Sequence, residues 1–321
     1  MNAAIVGLGR WGRALVEAVH ERNALVRFTR AADPSSDTCS FAEAHGFRFS
    51  TALVDVLHDP AIQAVVLATP HSLHREQVVA AAAAGKHVFC EKPLALNSAD
   101  ARAMIDACRR AGVALAVGHN RRFWPSMQAL KKILLEKKLG RLLHIEGHNS
   151  NENSNRVTGG WRILPKESPG GGMTGAGLHV LDSFIGLCGP VRRVSAQLCS
   201  YKQDIPPLDS LTATYEFASG ISGVLATLRA TPFYWRVHVF GTDGSAEVLG
   251  ETDLVLRMAG KPPQRLALEP VDSVRAELEA FADAAEGRMP YPIPHEQMLA
   301  TVSAFEATVR SLESRKPVTA A

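Results

Sequence analysis

Gly7-Leu8-Gly9-Arg10-Trp11-Gly12 places three glycines at the spacing that lets a backbone approach a pyrophosphate. A short apolar run, Ala3 to Val6, precedes it. Ala14, Leu15, Ala18 and Val19 follow at helical spacing. The pattern predicts strand, tight turn and helix in that order, the context in which such a loop binds a dinucleotide. The first glycine makes the turn, the second clears room for phosphate oxygens, and the third lets helix pack on strand. Arg10 and Trp11 lie within this loop as candidate cofactor contacts, and the N-terminus of the helix that follows offers unpaired N–H groups and the positive end of a dipole to an anion. Asp33 stands 21 residues beyond Gly12, at the end of an extended stretch over 25–32. A carboxylate there accepts the adenosine ribose hydroxyls and repels a 2′-phosphate, which favours NAD. Arg30, Ser35 and Ser36 lie close enough to serve a 2′-phosphate, so NADP stays open. Aspartate before Pro34 is also an ordinary turn pairing.

Other polar residues cluster after apolar runs: Thr69-Pro70-His71, Cys90-Glu91-Lys92-Pro93 and Gly118-His119-Asn120-Arg121. A further stretch, Gly170-Gly171-Gly172, runs up to His179, with Asp182 just beyond. The elements that must position these residues are legible in outline. Over 1–120, apolar strands such as Val65 to Ala68, Val88-Phe89 and Val113 to Val117 alternate with helices near 72–84 and 98–111. That alternation predicts an α/β fold with a doubly wound parallel sheet and ligands at the carboxyl ends of its strands. Thr69, Pro70, His71, Glu91, Lys92, His119 and Asn120 all fall at such ends.

From about 140 the chain changes to extended runs at Leu142–His148, Val191–Leu198, Leu211–Phe217, Ile221–Arg229 and Arg236–Phe240. Ser219-Gly220 and Asp243-Gly244 read as hairpin turns. Helices near Asp272 and over Met298 to Leu312 accompany these strands. The expectation is an N-terminal dinucleotide domain over 1–120 and a C-terminal α+β domain over 121–321 with an open, mainly antiparallel sheet. An open face on a small domain is expected to pair with a second copy, giving a homodimer or homotetramer.

With 46% hydrophobic and 21% charged residues, the 321-residue chain has ordinary globular composition. Its net charge of +3 is too small to argue for nucleic acid or a membrane surface. The apolar start contains the glycine turn and does not read as a signal peptide, and the run around 78–84 is too short to span a bilayer. Five cysteines without a C-x-x-C pair fit a reducing cytoplasm. His71, His74, His144, His148 and His238 lack metal-ligand spacing, so no metal is expected.

The ordered set from Gly7–Gly12 through Ala68-Thr69-Pro70-His71, Gly85-Lys86-His87-Val88, Glu91-Lys92-Pro93, Gly118-His119-Asn120-Arg121-Arg122-Phe123, Trp161-Arg162 and Gly170–Gly172 to His179 and Asp182 resembles the Gfo/Idh/MocA family. The resemblance spans essentially the whole chain. It implies a Rossmann domain, a C-terminal domain with an open sheet that builds oligomers, bound NAD or NADP, and oxidation or reduction of a secondary alcohol on a sugar, cyclitol, sugar acid or related polar ring. It also implies that Lys92 contacts the reacting hydroxyl, where an ammonium stabilises developing alkoxide charge. Burial beside the cofactor is expected to lower the Lys92 pKa. His179 is implied as the acid/base, Trp161 and Arg162 as a segment near the cofactor, and Asn120, Arg121, Arg162 and Asp182 as candidates for the substrate. Tyr234-Trp235-Arg236 reads equally as a sugar-stacking surface or as core.

One position departs from the family pattern. Most dehydrogenases of the family carry aspartate four residues before the histidine, where this chain has Gly175. Three readings follow: the histidine and lysine suffice, Asp182 or another loop residue takes the orienting role, or the chain binds cofactor without the family reaction. Besides the dehydrogenase, the alternatives are a lyase, hydrolase or epimerase that oxidises transiently, and a cofactor-binding regulator.

Overall fold

A computed structural model describes residues 1–22, 25–152, 160–200 and 210–320. The chain divides into two compact units. The first comprises Met1–Ala95, Ala99–Asn120 and Asp272–Met298; the second comprises Leu96–Ser98, Arg121–Val271 and Leu299–Ala321.

In the first unit, strands β1 (Asn2–Val6), β2 (Arg27–Ala32), β3 (Arg48–Ser50), β4 (Ala64–Leu67), β5 (His87–Glu91) and β6 (Leu115–Gly118) form a parallel sheet in the order β3-β2-β1-β4-β5-β6. β4 and β6 are buried throughout, which is why their sequences are unbroken apolar runs and not alternating ones. Strand order reverses direction between β1 and β4, the switch point at which such sheets receive nucleotides. Helices α1 (Arg10–Val19), α2 (Cys39–Ala44), α3 (Leu53–Leu57), α4 (His74–Ala83) and α5 (Ser98–Ala111) connect the strands.

The second unit contributes α6 (Pro125–Leu135), β7 (Leu142–Ser150), α7 (Leu178–Cys188), β8 (Val191–Cys199), β9 (Ser210–Phe217), β10 (Ser222–Leu228), β11 (Tyr234–Gly241), β12 (Gly244–Leu249), β13 (Asp253–Met258), β14 (Gln264–Ala267) and β15 (Val318–Thr319). Among the described residues its sheet runs β14-β13-β12-β11-β7-β10-β9-β8-β15, antiparallel except where β7 lies parallel to β10. On β9, Leu211, Ala213, Tyr215 and Phe217 are buried while Thr212, Thr214 and Glu216 are exposed, the period of a half-covered sheet. The inner face packs on α7, and Gly147 of β7 permits the contact: a Cβ there would stand 2.2 Å from Val180. The outer face carries Glu146, Arg236, Glu247 and Arg257 in one ion-pair network at 2.7–2.8 Å. Burial among them pushes the His238 imidazole down to about 4.

Two features differ from the sequence expectation. The helix beginning near Asp272, α8 (Ser273–Ala285), belongs to the first unit. Its Leu278, Phe281 and Ala282 join the core of Ile5, Val66, Phe89 and Ala116, with Phe281 edge-on to Phe89 at 5.8 Å. An amphipathic stripe says that a helix packs, but not on which sheet. The strands β12, β13 and β14 also went unread, because alternation in these short segments is weak. The last helix, α9 (His295–Ser314), supplies Phe305 to the second core. Among the described residues, no helix is long and apolar enough to cross a membrane.

Candidate active site

The glycine loop has the shape its spacing implies. Gly7 sits at φ +92°, and a Cβ there would lie 2.7 Å from the Ala68 carbonyl oxygen. A Cβ on Gly12 would lie 1.9 Å from the Gly7 oxygen, so that position admits no side chain. Gly9 is the opposite case: nothing lies within 4 Å of a Cβ built there. The two closed positions pin α1 to the β1 turn, and the open one leaves clear backbone at the helix start. Gly9 caps α1 without any side-chain hydrogen bond, leaving its first N–H groups for an anion. Arg10 is exposed beside this loop and Trp11 is partly buried. Asp33 follows β2 and is held by two backbone donors, Leu8 N–H at 2.7 Å and Ser35 N–H at 2.9 Å. The residues present therefore fit a dinucleotide. Arg30 is engaged elsewhere, its Nε donating to Asp59 Oδ2 at 2.6 Å.

The β4 and β5 ends lie beside this loop in the sheet. Thr69 Oγ1 donates to Gln77 at 2.5 Å, and Pro70 leads into a 3-10 turn at His71–Leu73. Glu91 is buried against Gly118, where a Cβ would lie 2.5 Å from its Oε1. Lys92 N–H donates to Glu91 Oε2 at 3.2 Å, the Lys92–Pro93 peptide is cis, and Lys92 is partly exposed. Sequence reasoning passed over His74 except as a metal candidate. Its ring is fully buried at the start of α4, with Nδ1 2.8 Å from the Pro93 carbonyl and Nε2 3.2 Å from that of Thr69. The imidazole thus ties the β4 end to the turn that carries Lys92. Histidine at the first residue of that helix was the available signal. Asn120 donates to Ser273 Oγ at 3.1 Å, at the start of α8.

In the second unit, a π-helical turn, Met173–Gly177, precedes α7. The glycines before and within it permit close packing on β10: a Cβ on Gly172 would stand 2.9 Å from Thr227 Oγ1, and one on Gly177 3.0 Å from Thr227 Cγ2. Gly175 lies within this wider turn, and His179 and Asp182 lie on α7. Gly175 is exposed and His179 partly so, whereas Asp182 is 2% exposed. Its carboxylate receives Arg122 as a fork, Nε at 2.6 Å and Nη2 at 2.9 Å, with Thr301 Oγ1 at 3.5 Å. The substrate-contacting or orienting role expected of Asp182 therefore gives way to a buried ion pair. Removing one partner strands the other charge, so Asp182→Ala is expected to cost about 3–5 kcal/mol of stability, read by denaturant unfolding.

Trp161 and Arg162 form a short 3-10 turn in which the guanidinium lies 4.2 Å from its neighbour's ring centre. Trp235 is core, 1% exposed, while Tyr234 is exposed and Arg236 joins the outer network. Arg121 lies over Trp235. Among the described residues, no cluster of histidine, cysteine and carboxylate side chains could hold a metal ion.

Comparison with known proteins follows the same division of the chain. Residues 1–119 match the model of an oxidoreductase family with an NAD-binding Rossmann fold, and 127–247 match the Gfo/Idh/MocA C-terminal domain. The 1,5-anhydro-D-fructose reductase of Ensifer adhaerens is 30% identical over 249 residues, 74% of this chain and 73% of that one. The 2,7-anhydro-N-acetylneuraminate hydratase of Escherichia coli is 29% identical over 287 residues, 84% of this chain and 73% of the hydratase. A levoglucosan dehydrogenase solved with NADH shares the fold, with a TM-score of 0.88 and 24% identity over 100% of this chain and 99% of that one.

Proposed function

Because this chain belongs to the Gfo/Idh/MocA family of NAD-binding oxidoreductases, we propose that it is a dehydrogenase acting on a secondary alcohol of a polar ring or sugar acid. The observation that carries the redox reading is the glycine loop, closed at Gly7 and Gly12, open at Gly9, with Asp33 fixed beside it. A nicotinamide held by this loop would supply the acceptor for a hydride leaving the carbinol carbon. His179 takes the hydroxyl proton as the C–O bond becomes a carbonyl, and Lys92 stabilises negative charge on that oxygen. Charge and atoms balance: alcohol and NAD⁺ become ketone, NADH and a proton. Asn120, Arg121 and Arg162 are assigned to substrate, Thr69, Pro70, His71, Glu91 and Trp161 to the cofactor. The test is reduction of NAD on mixing the protein with cyclitols, hexoses and sugar acids. A melting shift without NADH would instead favour transient oxidation, the reading suggested by the hydratase relative, or the cofactor-binding regulator that Gly175 leaves open.

NAD is assigned over NADP because Asp33 is held in place by its two backbone donors while Arg30 is committed to Asp59. Asp33→Ala should weaken NAD and narrow the gap between the two cofactors in calorimetric titration; tighter NADP binding by the unaltered protein would reverse the assignment. The outer face of the second sheet is assigned to a homodimer or homotetramer. Sedimentation at micromolar concentration should show it, and a monomer would count against it.

A further inference from the structure

We propose that Arg121 receives a carboxylate of the substrate, so that the alcohol this protein oxidises belongs to an acidic sugar or polyhydroxy acid. The inference rests on the dehydrogenase reading and names its substrate class. Consecutive arginines make the contrast. Arg122 is matched by Asp182 through a two-pronged ion pair. Arg121 has no carboxylate among the described residues, and its Nη1 is buried without an acceptor. Three rings surround it instead, with centres 4.2 Å (Trp235), 5.1 Å (Trp124) and 5.8 Å (Phe233) from the guanidinium carbon.

Aromatic faces attract a cation and keep water from its plane, but they accept no N–H hydrogen bond of ordinary strength. A stacked guanidinium therefore keeps its in-plane donors for a ligand, and two parallel donors match the two oxygens of a carboxylate. Burial lowers the Arg121 guanidinium to about 9, which leaves it charged at neutral pH and uncompensated. Its place in the fold fits a substrate group. Trp235, its nearest ring, pairs with Asn149 in the β11–β7 register, and Asn149 Nδ2 donates at 2.9 Å to the carbonyl of Ala176, three residues before His179. Trp235 Nε1 and Asn149 Oδ1 are likewise buried without partners among the described residues. The position one turn before His179 is glycine, so no carboxylate stands there to repel an anion.

The test uses the NAD-saturated protein and matched probes: D-glucuronate and D-galacturonate against D-glucose and D-galactose, with D-glucose 6-phosphate as a different anion. The acids should bind about 10- to 100-fold more tightly than their neutral parents, the range expected when a charged donor gains its acceptor. Arg121→Met should erase that preference, and Arg121→Lys, which keeps the charge but loses the fork, should restore only part of it. Should Arg121→Met fail to fold, the acid-to-neutral ratio of the unaltered protein decides. Equal binding of acids and parents, preference for the phosphate ester, or no binding by either acid would overturn the proposal. Acids held through Arg121 with no NADH formed would leave the carboxylate assignment standing and remove the dehydrogenase reading. Oxidation of the neutral sugars in preference to the acids would do the reverse.

Discussion

Lys92→Met is expected to lower turnover by about 10²–10³ while NAD affinity stays unchanged, because a preorganised cation is lost and no phosphate contact is. Lys92 follows β5, which is two strands from β1 in the order β1-β4-β5. At the usual spacing between strands this is about 10 Å across the sheet edge from the glycine loop. On the proposed assignment, that separation sets Lys92 apart from the pyrophosphate and assigns its ammonium to the substrate oxygen. Buried Glu91 on one side, with the His74 contact to the Pro93 carbonyl on the other, fixes the backbone from which it projects. Single-turnover NADH formation beside calorimetric NAD titration checks the split. Near-normal turnover in the variant would remove Lys92 from the mechanism, and a parallel loss of NAD affinity would reassign it to the cofactor.

What could be read in advance was what a short segment encodes by itself. Gly7, Gly9 and Gly12 do their work within one strand–turn–helix unit. β4 announces its burial on both faces through Ala64 to Leu67. Features set by distant partners stayed hidden. Asp182 looked available for chemistry because its partner, Arg122, lies 60 residues away. Phe281 marked an apolar helix face, but only packing shows Phe89 opposite it. Tyr234-Trp235-Arg236 could be core or sugar platform from sequence alone; the strand pleat sends Trp235 inward and its two neighbours outward. The π turn was also hidden, since glycine-rich segments specify backbone freedom and not one helical pitch.

That turn underlies the remaining large effect. Gly175 is exposed, its φ is not in the left-handed region, and a Cβ there meets nothing within 4 Å, so aspartate fits without displacing a neighbour. Four residues on, His179 is partly exposed on α7. An anion one turn earlier is expected to stabilise the imidazolium and raise the histidine pKa. With His179 as the proposed base, oxidation of the alcohol needs the neutral imidazole, so activity is expected to rise with pH as His179 loses its proton. Raising that pKa moves the acid limb of the rate profile to higher pH, and Gly175→Asp is expected to be slower than the unaltered protein on that limb. His179→Asn removes the base while keeping a polar side chain of similar reach. It should lose about 10²–10⁴ in turnover with binding of substrate and NAD retained. The two variants test one assignment in different ways: one moves the profile along the pH axis, the other lowers it. A profile that Gly175→Asp leaves in place, with full activity in His179→Asn, would put the proton on another group and transfer support to a function without net oxidation.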